Sequence, residues 1–186
     1  TDSDTTIPSE VTIDVPTNAT SITTKIQDIN FTAIDETALD SCWWSNDTGA
    51  TNNTLTDCNT NITSLSWDEG WNVVTIWVND TSNNVNNSDV SFFVDSIDPT
   101  TQIVYPTNTS YTTNTLDLNF TAVDTNLDKC WYFNGTDNST LNDCKSNFTG
   151  QIVPQGSSTW TIYANDSLNN VNSSEVTFYV DSIEPN

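Results

Sequence analysis

The chain has 186 residues, 34% of them hydrophobic, and a formal net charge of -22 in which 25 acidic residues face three lysines and no histidine. So negative a surface repels nucleic-acid phosphates and anionic lipid headgroups, which excludes both as partners of this segment. High charge with few apolar residues also marks disordered chains, but seven Trp, seven Phe and five Tyr set within alternating segments point to a packed core.

The chain opens at Thr1 with neither a methionine nor a charged-then-apolar leader, as expected of a mature, processed protein or a piece of a longer one. No apolar run approaches the ~20 residues of a membrane-spanning helix, so no membrane insertion is expected in this segment. The first strand is predicted at Val11 to Val15, ahead of the turn sequence Pro16-Thr17-Asn18. Ile29, Phe31 and Ala33 then alternate with polar neighbours, the period of a half-buried strand. Further strands are predicted around Trp43, from Trp71 to Val78 and from Val90 to Val94. Clusters of Asn, Asp, Ser, Thr and Pro separate them, and no segment keeps a helical period.

From residue 98 the series begins again. NVNNSDVSFFVDSIDP, Asn84 to Pro99, returns as NVNSSEVTFYVDSIEP, Asn170 to Pro185, and the NFTA starting at Asn30 returns at Asn119. Strands are expected again at Ile103, at Leu116, Leu118, Phe120 and Ala122, and around Trp131, Trp160 and Val176. This duplication predicts two domains, 1–97 with an N-terminal linker segment and 98–186 with a C-terminal one. Several short strands in each make the expected fold class all-β, two tandem antiparallel β-sandwiches that need no donated strand. Asp2-Ser3 echoes Asp95-Ser96, and Asp181 to Pro185 echoes Asp95 to Pro99, so the segment starts and stops inside linkers.

Four cysteines allow three pairings, and the repeat symmetry selects Cys42 with Cys58 and Cys130 with Cys144. Zinc is the weaker alternative, because the spacing lacks close ligand pairs and no histidine helps. Each bridge would be local, clipping the loop after a middle strand, and implies an oxidising, extracellular or cell-surface compartment. Asn-x-Ser/Thr sequons recur at Asn18, Asn30, Asn46, Asn52, Asn61, Asn79 and Asn86, then at Asn108, Asn119, Asn134, Asn138, Asn147, Asn165 and Asn172. In Asn30-Phe31-Thr32 and Asn119-Phe120-Thr121 the aromatic ring turns inward, so Asn and Thr face water, where an N-linked glycan can stand.

Six aspartates at strand ends and linkers, Asp35, Asp80, Asp95, Asp124, Asp166 and Asp181, are candidate calcium ligands, since calcium takes carboxylate, amide and carbonyl oxygens. The competing expectation is a set of solvated turn aspartates bonded to nearby amides. No catalytic residue and no organic cofactor are expected: a Ser-His-Asp arrangement lacks its histidine, a cysteine nucleophile lacks its base, and five scattered glycines build no phosphate loop. Trp44, Trp67, Trp71 and Trp160 are expected in the core, with sugar stacking on a sandwich face as the alternative.

With these residues in hand, the chain resembles the tandem Ig-like repeats of archaeal and bacterial surface proteins, through the terminal VDSIDP and VDSIEP endings and the Cys-Trp strands. Asn83 and Asn169 stand where such repeats commonly carry glycine. The resemblance implies a structural subunit of an extracellular array or filament, partnered by N-linked glycans and by other copies or neighbouring repeats. Its sequon density and low lysine content look archaeal. An adhesin or carbohydrate-binding module of a larger surface protein is the alternative role.

Overall fold

The computed structural model describes residues 4–184. Asp2, Ser3 and Pro185, named above for their linker echoes, lie outside them. The backbone forms two compact units, Thr1–Ser96 and Ile97–Asn186. Among the described residues every regular element is a strand.

Unit 1 contains β1 (Glu10–Val15), β2 (Thr20–Ile22), β3 (Ile26–Ile34), β4 (Leu39–Ser45), β5 (Asn53–Thr54), β6 (Ile62–Ser66), β7 (Gly70–Asp80) and β8 (Val85–Val94). They form two sheets, ordered β1-β3-β6 and β2-β8-β7-β4-β5, antiparallel throughout except that β2 runs parallel to β8. Unit 2 repeats this plan with β9 (Thr100–Tyr105), β10 (Ser110–Tyr111), β11 (Thr115–Val123), β12 (Leu127–Phe133), β13 (Asn138–Thr140), β14 (Phe148–Ile152), β15 (Gly156–Asp166) and β16 (Val171–Val180). Its sheets run β9-β11-β14 and β10-β16-β15-β12-β13. The chain is thus two Ig-like β-sandwiches in tandem.

Alternation decides which residues meet between the sheets. Ile29 and Phe31 from β3 pack with Val74, Ile76 and Val78 from β7 and with Phe92 from β8. In unit 2, Leu118 and Phe120 meet Ile162, Ala164 and Phe178 in the same way. Each core also holds one deeply buried indole, but the two come from different strands. Trp67, just past β6, lies edge-on to Phe92 at 5.0 Å between ring centroids, whereas Trp160 on β15 lies edge-on to Phe178 at 5.1 Å. Where one repeat has Trp67 the other has Val153, and where one has Val74 the other has Trp160. Two sites facing one core exchange a large and a small side chain, which keeps the total volume close to constant.

Both bridges form as the symmetry suggests. Cys42 of β4 joins Cys58 in the connection from β5 to β6, with 5.5 Å between Cα atoms, and Cys130 of β12 joins Cys144 at 5.3 Å. The tight turns closing β7–β8 and β15–β16 put Asn83 and Asn169 at φ of 66° and 67°, a left-handed conformation that Asn tolerates better than other side chains with a Cβ. The Asn-for-Gly replacement therefore preserves the turn.

Candidate functional site

Among the described residues, none of the depressions considered gathers reactive groups. A depression of about 620 Å³ in unit 2 lies between the β11–β12 turn and the disulfide loop, lined by Asp124, Asp128, Asp143 and Lys145, with Asp128 paired to Lys129 at 3.3 Å. It extends the acidic surface. Three other features bear on function: the sequons, the acidic strand ends and the outer aromatic faces.

An N-linked sugar bonds to the asparagine Nδ2, so that atom must reach water. Nine sequon asparagines are exposed: Asn18, Asn46, Asn52, Asn61, Asn108, Asn134, Asn138, Asn147 and Asn172. Several are held through Oδ1 alone. Asn18 Oδ1 accepts from the Ser91 amide at 2.9 Å, and Asn61 Oδ1 accepts from the Phe31 amide at 3.1 Å. Asn30 and Asn119 are half-buried on the outer faces of β3 and β11, opposite the inward rings of Phe31 and Phe120. Asn79 is half-buried as well, its Oδ1 accepting from the Ser41 amide and hydroxyl at 2.9 and 2.6 Å. Asn86 spends Nδ2 on the Pro8 carbonyl at 2.8 Å. Asn165 is only 7% exposed, accepts from the Lys129 amide at 3.1 Å and donates Nδ2 to Asn169 Oδ1 at 3.3 Å. The folded unit leaves no room there for a sugar.

The acidic candidates divide by depth. Asp80 and Asp166 end β7 and β15 and are wholly buried, not solvated. Each organises the following turn: Asp80 Oδ1 accepts from the Ser82 and Asn84 amides at 2.7 and 2.9 Å, and Asp166 Oδ1 accepts from those of Leu168 and Asn170 at 2.8 and 2.9 Å. In unit 1 the structure brings Asp35 and Asp80 together with Asp4, one carboxylate oxygen of each lying within 4.8 Å of the others. In unit 2 the carboxylates of Asp124 and Asp166 approach within the same distance. Asp95 is buried after β8 and its amide donates to the Ile22 carbonyl, while the exposed Asp181 donates likewise to Tyr111. The strand-end pattern did not identify Asp4. Its signal was the spacing to proline: Asp4 precedes Pro8 as Asp95 precedes Pro99.

One further carboxylate is strongly perturbed. The Ser45 hydroxyl, followed by the Thr51 amide, holds Asp47 down to about 2. A depressed carboxylate supports folding above its unfolded range near 4, and that support is lost as pH falls through about 2. Carboxyl-carbon NMR should give an Asp47 midpoint near 2, moving toward about 4 in Ser45→Ala.

Of the four tryptophans expected inside, Trp67 and Trp160 are core and Trp44 is half-buried against Trp67. Trp71 is not: it stands 65% exposed on the outer face of β7, edge-on to Phe93 at 5.5 Å. Trp43 and Trp77 stack on the same sheet's outer face with 4° between planes, as Trp131 and Tyr163 do in unit 2 at 2°. Unit 2 has Ser157 in place of Trp71, so its outer face lacks the exposed indole.

Neither a family model nor a curated relative matches the chain. Among solved structures it is similar to the fibronectin(III)-like modules of Clostridium thermocellum CbhA, at 16% identity and TM-score 0.48, over 92% of this chain and 94% of that one. Murine CEACAM1b gives 15% and 0.48, over 92% and 100% of the two chains. The D00-D0 domain of Intimin gives 10% and 0.45, over 91% and 99%.

Proposed function

We propose that the chain is a glycosylated structural module of an extracellular surface layer or filament, set in series with neighbouring Ig-like repeats or further copies of itself. The observation that carries this reading is the exposure of nine sequon asparagines spread over both sandwiches. Disulfide-clipped loops and dense glycans suit an oxidising exterior, where a chain without a chaperoned environment must resist proteolysis. Glycopeptide mass spectrometry on native material should find sugar on the exposed asparagines and none on Asn165. An intact mass equal to the sequence value of 20.5 kDa would overturn the proposal. Electron microscopy of the same material then reads its assembly, with regular filaments or lattices expected.

The exposed pair Trp71 and Phe93 favours a second reading, a carbohydrate-binding or adhesive face on unit 1, since sugar rings stack on exposed aromatic rings. On a glycan array, binding that disappears in Trp71→Ala would support it, and the absence of binding by the intact chain would remove it.

A further inference from the structure

Asn18 is clamped at the edge of the five-stranded sheet of unit 1. Its Oδ1 accepts from the Ser91 amide at 2.9 Å and from the Ser91 hydroxyl at 3.2 Å. The next residue, Ala19, at a left-handed φ of 61°, donates its amide to the Ser91 carbonyl at 2.7 Å. The Asn18 carboxamide is thus held through its oxygen alone: among the described residues none accepts from Nδ2, the atom that carries an N-linked sugar. Asn18 is exposed, so a glycan on it leaves the protein from a fixed point beside β8.

The surface beside that point is apolar. Side chains two apart on a strand share a face at a spacing of about 7 Å, so Phe93 follows Ser91 on the outer face of β8. Across the ladder Ser91 pairs with Val73 and Phe93 with Trp71. On the edge side Phe93 pairs with the exposed Ser21 of β2, which is too small to cover the ring. Phe93 is half-buried and Trp71 is 65% exposed, and apolar area left facing water costs free energy that a covering group recovers. The fold does not require this patch. Unit 2 places Ser157 and Thr159 where unit 1 has Trp71 and Val73, and the Thr159 hydroxyl is bonded to that of Thr177 at 2.8 Å.

Charge selects the covering group. A second copy would bring its own net charge of -22 against the first. A neutral sugar ring brings none, lays an apolar C–H face on the aromatic rings and keeps its hydroxyls in water.

We infer that the N-linked saccharide on Asn18 folds back along β8 and packs its first sugars over Phe93 and Trp71. The inference rests on the glycosylated reading above and gives one sequon a structural task, since the sugar becomes part of the folded surface of unit 1.

The test is hydroxyl-radical footprinting of the native glycosylated chain, read by mass spectrometry at Trp71. Oxidation of Trp71 should be several-fold slower there than in the same chain produced in a host that adds no sugar. Thr20→Val removes the sequon but keeps Asn18, and in the glycosylating host it should show the fast rate. Trp77, further along the same face, should keep its native rate in that variant, which reports an intact fold. Asn108→Gln strips the matching sequon of unit 2 and should leave Trp71 protected. Glycopeptide mapping of the same samples separates the two ideas. Sugar on no sequon overturns the glycosylated reading and this inference together. Sugar elsewhere with Asn18 bare, equal Trp71 rates with and without sugar, or a Thr20→Val rate equal to that of the native chain overturns this inference alone and leaves the aromatic face open to a foreign sugar.

Discussion

Trp67→Val should destabilise unit 1 by about 3 kcal/mol, and adding Val74→Trp should restore much of the loss. Trp67 is 3% exposed and fills the space between the sheets against Phe92, so truncating it removes a large apolar contact and leaves a cavity. Val74→Trp alone overpacks the same space and should cost about 1–3 kcal/mol. In unit 2 the arrangement is already inverted, with Trp160 reaching Phe178 from the strand matching β7 and Val153 at the position of Trp67. The double variant gives unit 1 that arrangement. Its cost should fall at least about 1 kcal/mol short of the sum of the two singles, the coupling expected of residues sharing one cavity. Chemical unfolding, followed through the five tryptophans of unit 1, measures all four corners of the cycle. Additive costs would mean that the two indoles do not occupy equivalent space.

Removing the Cys130–Cys144 bridge by changing both residues to alanine should cost unit 2 about 3 kcal/mol, the chain-entropy value for a loop of roughly 15 residues. Cys130 lies in the core beside Tyr132, while Cys144 sits in a loop that Asp143 already braces through the Lys145 and Ser146 amides at 2.8 and 2.6 Å. Alanine at both positions leaves the Asp143 backbone hydrogen bonds in place while removing the cross-link and the buried Cys130 sulfur together. A shift in denaturation midpoint equivalent to less than about 1 kcal/mol would show that β12–β13 pairing and the Asp143 turn close the loop unaided.

The long strands were legible because two periods agreed. β3 and β11 alternate strictly, β7 and β15 carry runs of apolar residues, and the sequence duplication supplied a second reading of each. Six short strands were not legible. β2 and β10 are recognised only through their parallel pairing with β8 and β16, which no local pattern announces. β6 and β14 are hidden differently: Ser64 and Gly150 adopt positive φ, their amides capped by Asp28 and Asp117 at 2.7 and 2.8 Å. The bulge spaces Ile62 and Leu65 three apart, so the period of two never appears. Trp71 was misplaced for a related reason. It begins β7 on the outward parity, and an aromatic residue in an apolar run carries no mark of which face it takes.

The sequence by itself determined the duplication, the all-β class, the disulfide partners and the list of sequons, because each rests on identity and spacing along the chain. Tertiary structure decided what those residues can do. It buried Asn165 among strand ends while leaving nine other sequon asparagines exposed, turned Trp71 outward, and brought Asp4 across from the lead-in to Asp35 and Asp80. Each outcome depends on which face a residue takes and which distant strand lies beside it, and folding settles those two quantities only when both sheets close over a common core.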